Sequence, residues 1–328
     1  MPHLFRNYTP FTVLILIITA FLMKLQALST PVAPVALPDH IVFATILDFL
    51  NPVMRGSALA YTWLTVVLLL TQALYLNHIT VRHRMFARNT YFPAFSYLLL
   101  TSINPAFNYF SEPVLINWLV LIALNIMLTF NQTSHPRKQI FNAGFMICLP
   151  ALFQFPALGF ILLFFLALLL LRSVNGGEWA VGAMGILTPV YFFACILFLA
   201  DSLEAIVRLP EFGFAFPTRV HHPVYFFGTL SGLVLLLAIG SVSIQQQFAR
   251  ITIYIRRSWY LIYIYLFISL GVAVIALSAL NAEWLVAIPP LSFIIAQAFT
   301  LEKSKRFSNF TFYFSLVLLI FCQLALNK

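Results

Sequence analysis

Charge is what this sequence has least of. Its 18 basic and 9 acidic residues make up 8% of 328 positions, against about 25% in an ordinary soluble domain. With 62% of residues apolar, too little polar surface exists to cover a water-soluble fold. An integral membrane protein is therefore expected. Cysteine is nearly absent too: Cys148, Cys195 and Cys322 all lie inside apolar segments and have no metal-ligand spacing, so they read as small buried residues.

Other absences narrow the function. No G-x-x-x-x-G-K-[ST] stretch occurs, which excludes a P-loop ATPase. No convincing internal repeat is present, which weighs against an inverted-repeat transporter. Apart from Lys24 near the end of the first, the apolar runs contain no Asp, Glu, Arg, Lys or His in their interiors. Proton relays and ion-coupled carriers need such groups at depth. Asn117, Asn125, Gln154, Thr188 and Gln297 are the polar groups inside, and helix-to-helix hydrogen bonding accounts for them.

What is present is a series of long apolar runs. About 20 residues are needed to cross the hydrocarbon core as a helix. The runs 10–28, 57–77, 92–110, 114–131, 179–200, 224–244, 259–280, 284–300 and 309–326 fit. The first resembles a signal sequence, but Lys24 follows its apolar core and no A-x-A site appears, so it is read as an uncleaved span. The longer run 141–172 is interrupted by Pro150, Gln154 and Pro156 and is read as a hairpin of two shorter helices. The expected fold class is all-α: one polytopic transmembrane helix bundle over residues 1–328, with about 11 spans.

Charge orients the bundle. Thirteen basic residues (Arg6, Arg82, Arg84, Arg88, Arg137, Lys138, Arg172, Arg250, Arg256, Arg257, Lys303, Lys305, Arg306) fall on one side. Lys24, Arg55, Arg208, Arg219 and Lys328 fall on the other, with seven of the nine carboxylates. Positive loops stay inside, so the N-terminus is expected in the cytoplasm and the C-terminus outside a bacterial inner membrane. Reading 141–172 as one span would reverse every later loop. The net charge of +9 is that of juxtamembrane anchors, and a nucleic-acid partner is not expected.

Two outside connections, 29–56 and 201–223, are long enough to carry structure of their own, and Glu112 lies in the short loop between the third and fourth spans. In 29–56, the stretch IVFATILDFL at 41–50 suits a helix lying on the membrane surface. Asp39, Asp48 and Glu112 are the candidate catalytic residues, since a carboxylate at a membrane boundary can serve as general base. With His40 nearby, Asp39 could instead hold a divalent cation or cap the helix that follows. Arg55, Arg208 and Arg219 are candidates for holding a lipid-linked phosphate; snorkelling to headgroups is the simpler reading for Lys24. His221-His222 in the loop 201–223 is too little for a metal site, and nothing names a cofactor.

Residues 88–201 resemble a family of polytopic Bacteroidota inner-membrane proteins of unassigned activity. The likeness rests on Asn89-Thr90-Tyr91-Phe92-Pro93-Ala94, Phe141-Asn142-Ala143-Gly144-Phe145, Leu152-Phe153-Gln154-Phe155-Pro156-Ala157, Leu171-Arg172-Ser173 and Gly185-Ile186-Leu187-Thr188-Pro189. A more distant architectural resemblance is to polyprenyl-phosphate-sugar-dependent membrane glycosyltransferases (GT-C type). It implies Asp39 or Asp48 as base or metal ligand with Glu112 in support, and Arg55, Arg208 or Arg219 on the lipid phosphate. The chain departs from that pattern in having no paired Asp-Glu or D-x-D in its loops and no large outside domain. A non-enzymatic subunit of an envelope assembly or export complex is the alternative expectation.

Overall fold

The computed structural model describes residues 2–6, 9–37, 40–131, 136–172, 175–204, 223–276, 282–300 and 305–326. Among the described residues there are helices and turns and no strand. In chain order they are α1 (Pro2–Arg6), α2 (Pro10–Ser29), α3 (Ile41–Met54), α4 (Ala58–Arg82), α5 (Phe92–Thr101), α6 (Glu112–Met127), α7 (Pro136–Cys148), α8 (Pro150–Phe153) and α9 (Gly159–Leu171). Then follow α10 (Gly176–Leu199), α11 (Pro223–Gln247), α12 (Ile253–Ile275), α13 (Ile288–Ala298) and α14 (Lys305–Leu326). Six of them (α2, α4, α10, α11, α12 and α14) are long and apolar enough to cross a membrane.

These long helices turn apolar side chains outward. In α2, Phe11, Leu14, Ile18, Leu22 and Leu25 are exposed, a stripe at helical spacing of the kind that a soluble protein keeps inside. The opposite face buries Leu16, Ala20 and Met23. Helix α10 likewise exposes Met184, Leu187, Tyr191 and Ile196. The molecule is a multi-pass membrane protein.

The remaining helices are short, and three form the centre. Every residue of α5 is buried, as is every residue of α13 except Leu291. Prolines open both, and α6 as well, where a missing N–H costs nothing. The sequence reading of 92–110 and 284–300 as single spanning helices is corrected here: each is a short helix joined to a 3₁₀ turn. Helix α5 stops at Thr101, and a separate 3₁₀ turn, Pro105–Asn108, follows. Asn104 caps that turn by accepting from the Ala106 N–H at 3.1 Å, so the Asn-Pro pair starts a new element instead of continuing the helix. A 3₁₀ turn, Glu283–Ala287, likewise precedes α13.

The break in 141–172 falls where the sequence suggests. Gln154 is extended (φ −141°, ψ 124°) between α8 and the 3₁₀ turn Phe155–Leu158, and the chain then folds back. A Cβ placed on Gly182 would stand 2.8 Å from the Phe164 ring and 3.4 Å from Ile140. Ile140 and Phe164 therefore meet at one point, whereas a straight helix would set them about 36 Å apart.

Contacts between connections sort the bundle into two ends. At one, the Tyr91 N–H donates to the Phe5 carbonyl at 2.9 Å and Arg6 donates to Ser308 at 3.1 Å. His83 meets Asn125 at 3.1 Å, Tyr254 donates to the Leu128 carbonyl, and Arg172 pairs with Glu178. This basic end also carries Arg82, Arg137 and Arg256. At the other, acidic end, Gln323 donates to the Met23 carbonyl at 3.1 Å and Asn117 to the Leu285 carbonyl at 2.9 Å.

Candidate functional site at the acidic end

Glu112 is the first residue of α6, preceded by an extended Ser111 (φ −150°, ψ 163°) and followed by Pro113. A carboxylate there faces the positive end of the helix dipole. Its oxygen Oε1 lies 2.9 Å from Nδ1 of His40, the residue before α3. Both are buried: Glu112 is 1% exposed and His40 8%. The second carboxylate oxygen, Oε2, is also buried and has no hydrogen-bond partner among the described residues. An oxygen in that position is costly unless a proton or an incoming donor meets it.

An aromatic cluster joins the elements that carry the pair. Phe43 on α3 stacks on Phe110 at 5.7 Å between ring centroids, and Tyr61 on α4 meets the same ring at 5.7 Å. The Tyr61 hydroxyl donates to Asn51 Oδ1 at 2.7 Å, which fastens α3 to α4. Helix α3 itself is amphipathic in an unusual sense. Phe43 and Leu47 are buried, while Phe49 and Val53 stand exposed on another face.

Lys24 anchors the other side of this segment. Its side chain is wholly buried and donates to Thr101 Oγ1 at 3.1 Å and Asn108 Oδ1 at 2.5 Å. Lys24 does not snorkel to the headgroups, as the sequence suggested. It ties α2 to the end of α5 and to the 3₁₀ turn that leads into Glu112.

The structure treats the candidate residues differently. Glu112 gains a partner in His40, which the sequence offered only as a companion of Asp39. Asp48 is exposed on α3, eight residues and about 12 Å of helical rise beyond His40, and does not join Glu112. Arg55 is exposed just after α3 in a left-handed conformation, φ 50°, beside Gly56 at φ 64°. Asp39, Arg208 and Arg219 lie outside the described residues, as do His221 and His222. Among the described residues, no three His, Cys, Asp or Glu side chains gather as a metal site.

Sequence reasoning missed two links, His40 to Glu112 and Lys24 to Asn108. A faint signal existed for each: Glu112 directly precedes a proline at the start of an apolar run, and Lys24 is the one cation within a span. The partners, 72 and 84 residues away, had no signal. No known family model, curated protein or solved structure matches the chain.

Proposed function

We propose that this protein crosses a bacterial inner membrane eleven times, with its N-terminus in the cytoplasm and its C-terminus outside. There, at the acidic end, it acts as a glycosyltransferase-like enzyme on a polyprenyl-phosphate-linked sugar. The observation that carries this reading is Glu112, a buried carboxylate with one oxygen held by His40 and the other without a partner among the described residues. In the proposed step the acceptor hydroxyl gives its proton to Glu112 Oε2 as its oxygen bonds to the anomeric carbon. The bond from that carbon to the phosphate oxygen breaks, and the electron pair leaves on the polyprenyl phosphate. Arg55, Arg208 or Arg219 would neutralise the departing charge. His40 acts as a positioning residue, fixing which carboxylate oxygen is free.

The test is Glu112→Gln, His40→Gln, Asp39→Ala and Asp48→Ala, scored by surface glycan profile at matched protein level. Glu112→Gln should abolish the product while keeping the fold, and His40→Gln should lower it. Unchanged glycans in all four variants would remove the reading.

A non-enzymatic membrane subunit of an envelope assembly or export complex is the second reading. The near-complete closure of Glu112 favours it, because a buried hydrogen-bonded pair also fastens one element to another. Purification in mild detergent separates the two: a reproducible monomer with no partner counts against the subunit.

A further inference from the structure

Helix α3 has two apolar sides, and the protein covers only one. Phe43 and Leu47 are buried in a cluster with Tyr61 and Phe110, and Leu50 and Met54 pack against it. These four α3 residues recur at helical spacing and form one line along the helix. Val42, Ile46, Phe49 and Val53 repeat that spacing one residue earlier, about 100° round the helix. Val42 and Ile46 are half-buried. Phe49 and Val53 are 76% and 70% exposed, so the uncovered part of this second line lies toward α4. Thr45 and Asp48, on the remaining side, are polar and exposed.

An apolar line of this kind is unfavourable in water and marks a surface that something covers. Helix α4 shows what that is. Its Leu64 and Leu68 lie against the α3 cluster, while Leu59, Trp63 and Val67 on the adjoining side are exposed. The Trp63 ring meets Phe21 of α2 at 5.5 Å between centroids, which joins this side to the outward apolar stripe of α2. Helix α3 is therefore seated at the edge of a surface that two spanning helices turn to lipid. Only Arg55, Gly56 and Ser57 separate α3 from α4, so Phe49 and Val53 are at the end of α3 nearest the membrane boundary.

We propose that Val42, Ile46, Phe49 and Val53 insert into the bilayer leaflet at the acidic end. A simple interfacial helix has one apolar face. Helix α3 uses two, one against the protein and one among acyl chains, with Thr45 and Asp48 toward water. The second line continues the lipid-facing surface of α2 and α4, which makes lipid its occupant and not a second protein. Arg55, exposed just beyond Val53, then stands at headgroup level, where a guanidinium pairs with phosphate. Nothing in this placement depends on glycosyl transfer.

Spin labels read by EPR test it on the full-length protein in lipid nanodiscs, with Cys148, Cys195 and Cys322 replaced. Thr45→Cys, Asp48→Cys, Phe49→Cys and Val53→Cys are labelled one at a time. All four positions are exposed, so no core side chain is displaced. Oxygen concentrates among acyl chains, and a neutral nickel chelate stays in water. Relative to the chelate, oxygen should collide several-fold more often with labels at 49 and 53 than with those at 45 and 48. Equal ratios at the four positions would place the second line in water and overturn the proposal. Exclusion of both reagents from 49 and 53 would mean that a second copy or another protein covers them, and would overturn it as well.

Discussion

A cation buried among apolar helices is expensive, and its neighbours determine what losing it does. Lys24 has hydroxyl and amide partners at 3.1 and 2.5 Å, and neither carries a compensating negative charge. Lys24→Met removes the bonds together with the charge whose desolvation they offset, so the expected cost is about 1–2 kcal/mol. Asn108→Leu keeps the charge and removes its better acceptor. The expected cost is then about 2–3 kcal/mol, the upper part of the range for leaving a buried donor short of an acceptor. Thermal unfolding in a single detergent ranks the two variants. Asn108→Leu should be the less stable, and the opposite order would mean that Asn108 is not the group that compensates Lys24. Only half of this contact was legible in advance. A lone lysine in an apolar run is visible in the sequence, but Thr101 and Asn108 are ordinary polar residues beside a Pro-containing turn, and only the folded chain brings them to it.

At the scale of elements, close backbone approach replaces the hydrophobic effect as the means of pairing helices in lipid. Helices α7 and α10 illustrate it. A Cβ on Gly185 would meet the Phe141 carbonyl oxygen at 2.5 Å, and one on Gly144 would meet the Gly182 carbonyl oxygen at 2.8 Å. Both obstacles are backbone and cannot rotate away. Gly185→Ala should destabilise by about 1–3 kcal/mol. Gly271, within α12, has nothing within 4 Å of the same position. There alanine should stabilise by up to about 1 kcal/mol through helix propensity. Paired melting curves check the contrast, and equal effects at the two sites would show that α7 and α10 do not pack this tightly. The hairpin could be read from Pro150, Gln154 and Pro156, because proline and an interrupted apolar run are local signals. The shortness of α5 and α13 could not. Their sequences are as apolar as a span, and what shortens them is the new turn capped by Asn104 after α5 and the 3₁₀ turn that precedes the prolines of α13.

For the whole molecule, segregation of charge and direction of the chain are one problem. Among the described residues, Arg6, Arg82, Arg137, Arg172 and Arg256 share an end with one another, and Glu112 lies at the opposite end near Lys24. That arrangement requires 141–172 to reverse, as the meeting of Ile140 and Phe164 at Gly182 indicates. A single crossing would have put Asn131 and Asn175 at opposite ends. The hairpin puts them at the same one. The contrast is accessible by cysteine labelling in a background where Cys148, Cys195 and Cys322 are replaced. Asn131→Cys and Asn175→Cys are both at exposed positions and should be protected from a membrane-impermeant maleimide until the membrane is permeabilised. Glu204→Cys, exposed beyond the far end of α10, should react in intact cells. Labelling of Asn131→Cys and Asn175→Cys from opposite sides would undo the hairpin, the later loop assignments, and the placement of Arg250, Arg256 and Arg257 in the cytoplasm. Labelling of all three from the reverse sides would keep the hairpin and invert the molecule. It would also move Glu112 to the cytoplasmic face, where a polyprenyl-linked donor outside the membrane could not reach it.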